Sequence, residues 1–259
     1  MQTQIINSES NEKLKIFKSL LTAKGIKENK KFILCGRKLI HEFFEHDLAR
    51  FKPFAFIFDN EEWPAFIQKN ASIEKYVIPK IIFKELDVIG TADPLLILEY
   101  KDFDTKDFTS EPLGLELISP LGDPRNLGAL IRSAVGFGVH EIILTKESAH
   151  PFLPQSVKAS AGSILYANLK KSELSILDIP VVENNFALAL EGKNISTIYW
   201  PKNLRLWVGE EGPGLKLSSE QKNRLHFITI PTLRIESLNA MVSASLALWE
   251  WKKSSNSGE

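Results

Sequence analysis

The sequence lacks the features of a cross-linked, secreted or membrane-spanning protein. Cys35 is the only cysteine among the 259 residues, so the chain can form neither an internal disulfide nor a metal site made of several thiolates. No apolar run reaches the roughly 18 residues of a membrane helix. The start of the chain has neither the basic residues nor the apolar stretch of a signal peptide. We therefore expect a cytoplasmic protein with no membrane partner.

Nucleotide fingerprints and net charge are also absent. The chain contains no G-x-G-x-x-G sequence, and its Gly-rich turn is not a phosphate loop, because Gly214 is followed by Leu215 rather than by lysine. NAD and ATP are therefore disfavoured as ligands. The formal net charge is +0, which weighs mildly against a nucleic-acid partner because cationic side chains supply much of the affinity for phosphates.

Positive charge is nevertheless concentrated near the N-terminus. Residues 13–38 are rich in lysine and arginine and contain a single acid, Glu28. Such a segment is either a solvated helix face with a charged turn or a flank that binds a polyanion, and charge alone leaves both interpretations open. The candidate contacts to a polyanion are Lys24, Lys27, Lys30, Lys31 and Arg37.

Hydrophobic periodicity predicts an α/β protein with two domains. In the first half, helices are expected over residues 11–24 and 37–48, and strands over residues 32–35, 54–58, 76–78 and 95–98. Residues 101–112 have the composition of a linker. We therefore predict a smaller domain over residues 1–105 and a second domain over residues 112–259.

The second half alternates strands and helices more clearly. A helix is expected over residues 127–135, and strands over residues 113–118, 141–144, 186–190, 204–208 and 227–230. These apolar strands suit a parallel sheet that is buried on both faces. The last helix is expected to begin near Ser237, a good N-cap, and to run to about residue 252. Because this helix is apolar around much of its circumference, we expect it to form a subunit interface.

Three separated turns of the second half carry the candidate site. The first is Asn126-Leu-Gly-Ala-Leu-Ile-Arg132, where Asn126 is expected to cap a helix that bears Arg132. The second is Val208-Gly209-Glu-Glu211-Gly212-Pro-Gly214, whose glycines let a ligand approach the backbone closely. The third is Ile230-Pro231, followed by Glu236-Ser237-Leu238-Asn239. Turns of this kind beside apolar strands are typical of a ligand pocket in an α/β sheet.

In order and spacing, these three segments resemble the signature motifs of the SpoU, or TrmH-like, RNA ribose methyltransferases of the SPOUT superfamily. The resemblance implies a C-terminal parallel-sheet domain tied in a trefoil knot, an exception to the rule that folds are unknotted. The first half is similar to the ribosomal-protein-like RNA-binding domain that often precedes it. A basic domain before a catalytic knot makes RNA the natural substrate, and the family is dimeric through the knotted domain.

The resemblance also implies roles for individual residues. Arg132 lies beside the target ribose and Asn126 helps to hold it, Glu211 orients Arg132 or closes its turn, and Asn239 completes the catalytic set. S-adenosylmethionine is the implied cofactor. Its implied contacts are Val208, Gly209, Gly212, Gly214, Ile230, Pro231, Ser237, Leu238 and Asn239. The chain departs from the family pattern at Met241, where a serine is usual, and Ser243 is offset from that position onto a different helix face.

The implied reaction transfers a methyl group from S-adenosylmethionine to a ribose 2'-hydroxyl of structured RNA, ribosomal or transfer. It needs alignment and charge stabilisation but no metal. A guanidinium is seldom neutral near pH 7, so we expect Arg132 to bind the phosphate and ribose and to act through its charge rather than as a base. Two alternatives remain open: a non-catalytic knotted protein for RNA binding or ribosome assembly, motivated by Met241, and an unknotted doubly wound enzyme that uses another nucleotide.

Overall fold

A computed structural model describes residues 3–46, 48–60, 67, 70, 72–210 and 214–256. The chain forms two compact units. The first unit comprises Met1–Asp102 and His150–Leu165, and the second comprises Phe103–Ala149 and Tyr166–Glu259. The chain therefore passes between the units three times, whereas the predicted domains, residues 1–105 and 112–259, require a single passage. The RNA-binding and methyltransferase roles of the two parts stay predictions.

The described residues form helices and strands in the following order. The helices are α1 (Glu12–Ser19), α2 (Ala23–Asn29), α3 (Arg37–Glu45), α4 (Lys80–Leu86), α5 (Pro124–Phe137), α6 (Pro154–Ser160), α7 (Ser219–Arg224) and α8 (Ala240–Asn256). The strands are β1 (Gln4–Ile5), β2 (Lys31–Cys35), β3 (Phe51–Phe58), β4 (Glu74–Val77), β5 (Leu95–Tyr100), β6 (Leu115–Ser119), β7 (Glu141–Leu144), β8 (Leu169–Lys171), β9 (Asn185–Asn194), β10 (Leu204–Trp207) and β11 (His226–Thr229).

The first unit contains a mixed five-stranded sheet in the order β1-β4-β3-β5-β2. The single helix predicted over residues 11–24 is wrong, because the chain forms α1 and α2 with a break between them. Thr22 makes the break, since its side chain accepts a hydrogen bond from the Gly25 amide at 3.1 Å and caps α2. Gly25 also packs so closely on α1 that a Cβ there would lie 2.1 Å from the carbonyl oxygen of Ser19.

Aromatic packing explains why His150–Leu165 belongs to the first unit. The ring of Phe152 stacks on Phe32 with centroids 4.2 Å apart and meets the ring of Tyr100 edge-on. His150 Nδ1 accepts a hydrogen bond from the Phe152 amide at 3.2 Å, and Nε2 faces the Tyr100 hydroxyl at 3.2 Å. Burial, together with the charges of Lys27 and Lys30, lowers the pKa of His150 to about 4. The imidazole is therefore neutral at pH 7, with its proton on Nε2.

The second unit contains a six-stranded sheet in the order β11-β9-β10-β6-β7-β8. Every ladder in it is parallel, as predicted from the uninterrupted apolar runs. Helix α5 follows β6 and packs against the last helix, α8. The fold is thus the α/β class with a parallel sheet that the sequence predicts, while the trefoil knot itself stays a prediction.

The linker prediction for residues 101–112 is wrong from residue 103 onward. The backbone of this segment joins the edge of the second sheet, since the Lys171 amide donates to Asp104 O and the Lys106 amide donates to Lys171 O, both at 2.9 Å. Phe108 is buried, and its carbonyl accepts from Arg205 Nη1 at 3.3 Å. Polar groups of this segment take part in a buried ionic cluster, so the segment is not a mobile connection.

That ionic cluster lies at the first residues of the central strands. Arg205 Nε contacts Glu116 Oε2 at 2.8 Å, and the exposed fractions of the two side chains are 0% and 1%. Lys106 Nζ contacts both Glu116 and Glu141 at 2.7 Å. Burial alone would raise the pKa of Glu116, but hydrogen bonds from Lys106 and Arg205 outweigh it and leave that pKa below its usual value. Glu116 is therefore ionised inside the sheet at neutral pH.

Candidate active site

The three motif turns meet at the C-terminal edge of the second sheet. Strand β10 lies between β9 and β6, and its parallel ladder continues past Trp207, where the Val208 amide donates to Ile118 O at 3.1 Å. The carboxyl ends of parallel strands share one edge of a sheet, so the loops that follow them come together there. The sequence places its Gly-, Pro- and Asn-rich segments in these loops.

A cavity of about 850 Å³ opens at this edge. Seven of the nine predicted cofactor contacts line it, namely Val208, Gly209, Gly214, Ile230, Ser237, Leu238 and Asn239. Pro231 is not part of the lining. Gly212 and the predicted catalytic acid Glu211 lie outside the described residues. The structure thus brings the second and third motifs to one pocket, whereas the sequence could only group them by resemblance.

Glycine is required where the second motif turns back on itself. A Cβ at Gly209 would lie 2.6 Å from the carbonyl carbon of Gly214, closer than any side chain is tolerated. Gly214 has a positive φ of 62°, a conformation that glycine adopts at little cost. Its amide donates to Glu210 O at 3.1 Å. Because neither glycine has a side chain, the backbone of Gly209 can lie directly against that of Gly214 in the cavity wall.

The rest of the cavity wall consists of residues that the sequence did not single out as cofactor contacts. Its apolar part comes from Leu188 and Leu190 of β9 together with Leu215 and Leu217 after the Gly-rich turn, and its charged part from Glu210, Lys222 and Glu236; Ser243 also lines it. The strand over residues 186–190 is predicted from its apolar run, but that run does not show that Leu188 and Leu190 face a cavity. The α7 residue Lys222 carries no recognisable signal in its own segment.

The first motif lies beside the cavity without lining it. Asp123, not Asn126 as predicted, caps α5, because its carboxylate accepts from the amides of Arg125 at 2.8 Å and Asn126 at 3.0 Å. Pro124 is the first helical residue, so Asn126 lies in the first turn. Arg132 is exposed on α5, and its guanidinium makes no hydrogen bond or ion pair within the described part of the chain.

The side chain of Glu210 joins the second motif to the loop before α5. Its Oε1 atom accepts a hydrogen bond from the Gly122 amide at 2.6 Å. Gly122 immediately precedes the cap residue Asp123, and a Cβ at Gly122 would lie 3.0 Å from Glu210 Oε1. The family resemblance implies Glu211 as the functional acid of this turn, so the contact of Glu210 is an addition to the predicted site.

The third motif ends in a helix cap that differs from the predicted one. Asn239, rather than Ser237, caps α8, because its Oδ1 atom accepts from the amides of Met241 at 2.9 Å and Val242 at 3.3 Å. An Asn side chain reaches the free amides two and three residues ahead, which is the usual capping geometry. A direct role of Asn239 in catalysis stays a prediction.

Met241 and Ser243 face different sides of α8, as the helical offset predicts. Ser243 lines the cavity, whereas Met241 lines a second depression of about 430 Å³ between α5 and α8. This groove is apolar and consists of Ala129, Ser133, Phe137, Met241, Val242, Ser245, Leu246 and Trp249. Trp249 remains 51% exposed there, which is unusual for so large an apolar side chain in a helix that already packs on a neighbour.

Most of the predicted basic contacts in the first unit are paired with carboxylates. Lys24 lies 3.8 Å from Glu28, Lys30 2.8 Å from Asp102, Lys31 3.0 Å from Glu99, and Arg37 3.6 Å from Asp93. Lys31 is also largely buried, with 18% of its side chain exposed. Lys27 makes no ion pair within the described ranges. The pairing reduces the charge that this segment offers to a phosphate backbone.

The described residues contain neither a metal cluster nor a membrane-spanning helix. Residues 3–46, 48–60, 67, 70, 72–210 and 214–256 contain no cluster of three or more His, Cys, Asp or Glu side chains able to hold a metal. Over the same ranges, no helix has both the length and the apolar character that crossing a bilayer requires.

Comparison with known proteins agrees with this geometry. A model of the SpoU rRNA Methylase family matches residues 117–249, the part that holds all three motifs. A putative TrmH family tRNA/rRNA methyltransferase of Staphylococcus aureus is 30% identical over an alignment of 211 residues, and the match covers 74% of this chain and 84% of that protein. The crystal structure of the AdoMet-bound rRNA methyltransferase from Sinorhizobium meliloti has a TM-score of 0.78 at 22% identity and covers 98% of both chains.

A longer relative also matches. The ribosomal RNA small subunit methyltransferase G 2 of Syntrophobacter fumaroxidans is 34% identical over an alignment of 254 residues, and the match covers 96% of this chain and 49% of that protein. The chain thus spans about half the length of this relative, whose name describes the longer protein.

The fold and the pocket define an α/β protein with a parallel sheet whose C-terminal edge carries the second and third motifs at one cavity. Within that class, the chain belongs to the SpoU rRNA Methylase family.

Proposed function

We propose that this chain transfers a methyl group from S-adenosylmethionine to the 2'-hydroxyl of a ribose in structured RNA, ribosomal or transfer. The observation that carries the proposal is the cavity lined by the second and third motifs in a chain of the SpoU family. The names of the relatives support an RNA substrate, and the Sinorhizobium neighbour supports the cofactor because it binds AdoMet.

The cavity suits S-adenosylmethionine in size and lining. Its volume of about 850 Å³ lies in the range of small-molecule pockets. Leucine side chains and the thin glycine turn suit a flat adenine ring that is recognised by main-chain atoms. The carboxylate of Glu236 is complementary to the positive charge of a sulfonium. When bound, the cofactor supplies a methyl group that is already activated by that sulfonium.

Arg132 is the residue that we expect to meet the RNA. Its exposed guanidinium presents a planar fork of donors that matches phosphate and ribose oxygens. Contact with this cation favours loss of the hydroxyl proton to a phosphate or to water and stabilises the charge that develops on the attacking oxygen. Asn126, six residues before Arg132 in the first motif, and Glu211 complete the proposed catalytic set with Asn239.

The proposed assembly is a homodimer formed on the α5–α8 groove. Val242, Leu246 and Trp249 are exposed there although they are large and apolar, and burial in a symmetric contact would remove them from water. Light scattering should give twice the chain mass of 29.2 kDa at micromolar concentration. Trp249→Lys should give the monomer mass, whereas Tyr199→Lys, a control at a side chain 88% exposed elsewhere in the same unit, should not.

Two measurements test the proposed reaction. Calorimetry should detect binding of S-adenosylmethionine or S-adenosylhomocysteine, and no binding of either at millimolar concentration would refute the cofactor. Mapping of ribose methylations in total RNA should show a modification that disappears when the gene is deleted and returns with the wild-type gene. Cofactor binding without any lost methylation or any transfer in vitro would instead select the non-catalytic RNA-binding alternative.

A further inference from the structure

We propose that Glu210 is a positioning residue that couples the cofactor cavity to the helix bearing Arg132; this rests on the proposed methyl transfer. Glu210 belongs to the cavity lining, and its carboxylate crosses to the loop before α5. The family resemblance assigns the acid of this turn to Glu211, so it gives Glu210 no role. The contact therefore stands on the geometry of this chain alone.

Both ends of the contact are held by the backbone. On the cavity side, Glu210 O accepts from the Gly214 amide at 3.1 Å, so the turn that carries the carboxylate is closed. On the helix side, Gly122 lies between Leu121, whose carbonyl accepts from the Ala149 amide at 2.8 Å, and Asp123, which caps α5. Because the Glu210 side chain joins these two loops, a displacement of one loop should displace the other.

The hydrogen bond itself suits this role. Glu210 Oε1 lies 2.6 Å from the Gly122 amide nitrogen, and bonds from an amide to a carboxylate are stronger than those between neutral groups. A ligand that fills the cavity and contacts Glu210 would therefore fix the loop at Gly122 and, through the cap at Asp123, the start of α5. Arg132 lies on that helix, so the proposed consequence is alignment of Arg132 with the bound cofactor.

The first experiment compares Glu210→Ala with Glu210→Gln in a methyl-transfer assay. We expect Glu210→Ala to lower kcat by about tenfold while the Kd for S-adenosylhomocysteine changes by less than about threefold. Glu210→Gln keeps an acceptor oxygen and should recover most of the loss. Glu220→Ala, which removes an exposed carboxylate on α7, is the matched control. A Glu210→Ala variant with normal kcat, or one that loses mainly cofactor affinity, would overturn the positioning role.

A double-mutant cycle tests the contact directly. Gly122→Ala places a methyl group 3.0 Å from Glu210 Oε1, and Glu147 O, at 3.7 Å, is its one other neighbour within 4 Å among the described residues. Alone it should lower kcat several-fold by displacing the carboxylate. In the Glu210→Ala background it should cause no further loss, because the atom that it meets has gone. Additive losses in the double variant would mean that the two residues act separately and would refute the coupling.

Deuterium exchange separates this proposal from the proposed function. In the wild type, S-adenosylhomocysteine should slow exchange of the peptide that contains Gly122 and the start of α5. Glu210→Ala should abolish that protection, and Glu210→Gln should retain it. Ligand-dependent protection in a protein that methylates no RNA would leave the coupling standing and remove the proposed activity. Methyl transfer with the same exchange in wild type and Glu210→Ala would remove the coupling alone.

Discussion

Charged side chains are buried at one end of the six-stranded sheet and exposed at the other. At the N-terminal ends of β6 and β10, Glu116 and Arg205 are neighbours in register and are sealed from water with Lys106. At the C-terminal ends of the same strands, the chain opens into a cavity, and Arg132 on the following helix is exposed without a partner in the described residues.

This difference separates residues that maintain the fold from residues that are available to a ligand. A buried ion must be paired, because the cost of an uncompensated charge in the interior is several kcal/mol. An exposed arginine loses little by remaining unpaired in water, so it can be reserved for a binding partner. Substitutions at the two ends should therefore change different properties.

The largest expected effect is at the buried end. Arg205→Ala removes one partner of Glu116 and leaves the carboxylate partly uncompensated, so we expect the free energy of unfolding to fall by about 3–5 kcal/mol. Chemical denaturation monitored by circular dichroism measures this loss. Arg224→Ala is the control, since its pair with Glu220 is exposed and should contribute less than ~1 kcal/mol. Equal losses of unfolding free energy in the two variants would contradict this distinction between the two ends of the sheet.

Arg132→Ala should impair methyl transfer at the C-terminal end of the sheet without affecting the fold. We expect methyl transfer to fall by at least about 100-fold, or ~2.7 kcal/mol in barrier, while the midpoint of thermal unfolding and the cofactor Kd stay nearly constant. Arg132→Lys should also fail, because an ammonium does not reproduce the forked grip of a guanidinium. More than about a tenth of wild-type turnover in Arg132→Ala would leave this residue with no catalytic role.

Gly209→Ala should damage the cavity wall specifically. Its methyl group would meet Gly214 C at 2.6 Å, so the turn must open, and we expect the Kd for S-adenosylmethionine to rise by about tenfold, or ~1.4 kcal/mol. Gly136→Ala, at a glycine of α5 with open space around its Cβ position, is the matched control. Calorimetry on the two variants measures the difference. Unchanged affinity in Gly209→Ala would show that this turn does not contact the cofactor.

Low pH should lower the free energy of unfolding through Glu116, and this is the smallest of the four expected effects. Its pKa in the folded protein lies below the ordinary value of 4.5, so the folded state holds the proton less tightly than the unfolded chain. The stabilisation is therefore complete above about pH 4.5 and is lost as the pH falls below it. Unfolding free energies measured across this interval should decline more steeply in the wild type than in Glu116→Gln, and parallel profiles would contradict the assignment.

The sequence predicts regular elements well where local pattern and burial agree. The apolar runs over residues 204–208 and 227–230 correspond to β10 and β11, and the parallel sheet follows from their lack of alternation. Prediction fails where a polar residue has a tertiary role. Residues 103–112 have the composition of a linker, but Lys106 and the carbonyl of Phe108 serve the charges on Glu116 and Arg205.

The same division holds for the candidate site. Glycine turns at strand ends are visible in the sequence, and seven of the predicted contacts line one cavity. Helix caps are less predictable, because Asp123 and Asn239 each compete with a nearby residue of similar capping ability. The contact of Glu210 with Gly122 joins positions 88 residues apart, and no local pattern contains it.

The sequence by itself determined the class of the sheet and the position of the three motif turns, because hydrophobic runs and glycine act through their immediate neighbours. Tertiary structure alone decided which charges are buried, which segment packs in which unit and which acid reaches the loop before α5. These outcomes depend on contacts between distant residues, where burial turns an ordinary carboxylate such as Glu116 into an obligatory ion-pair partner, while solvent leaves Arg132 available to a ligand.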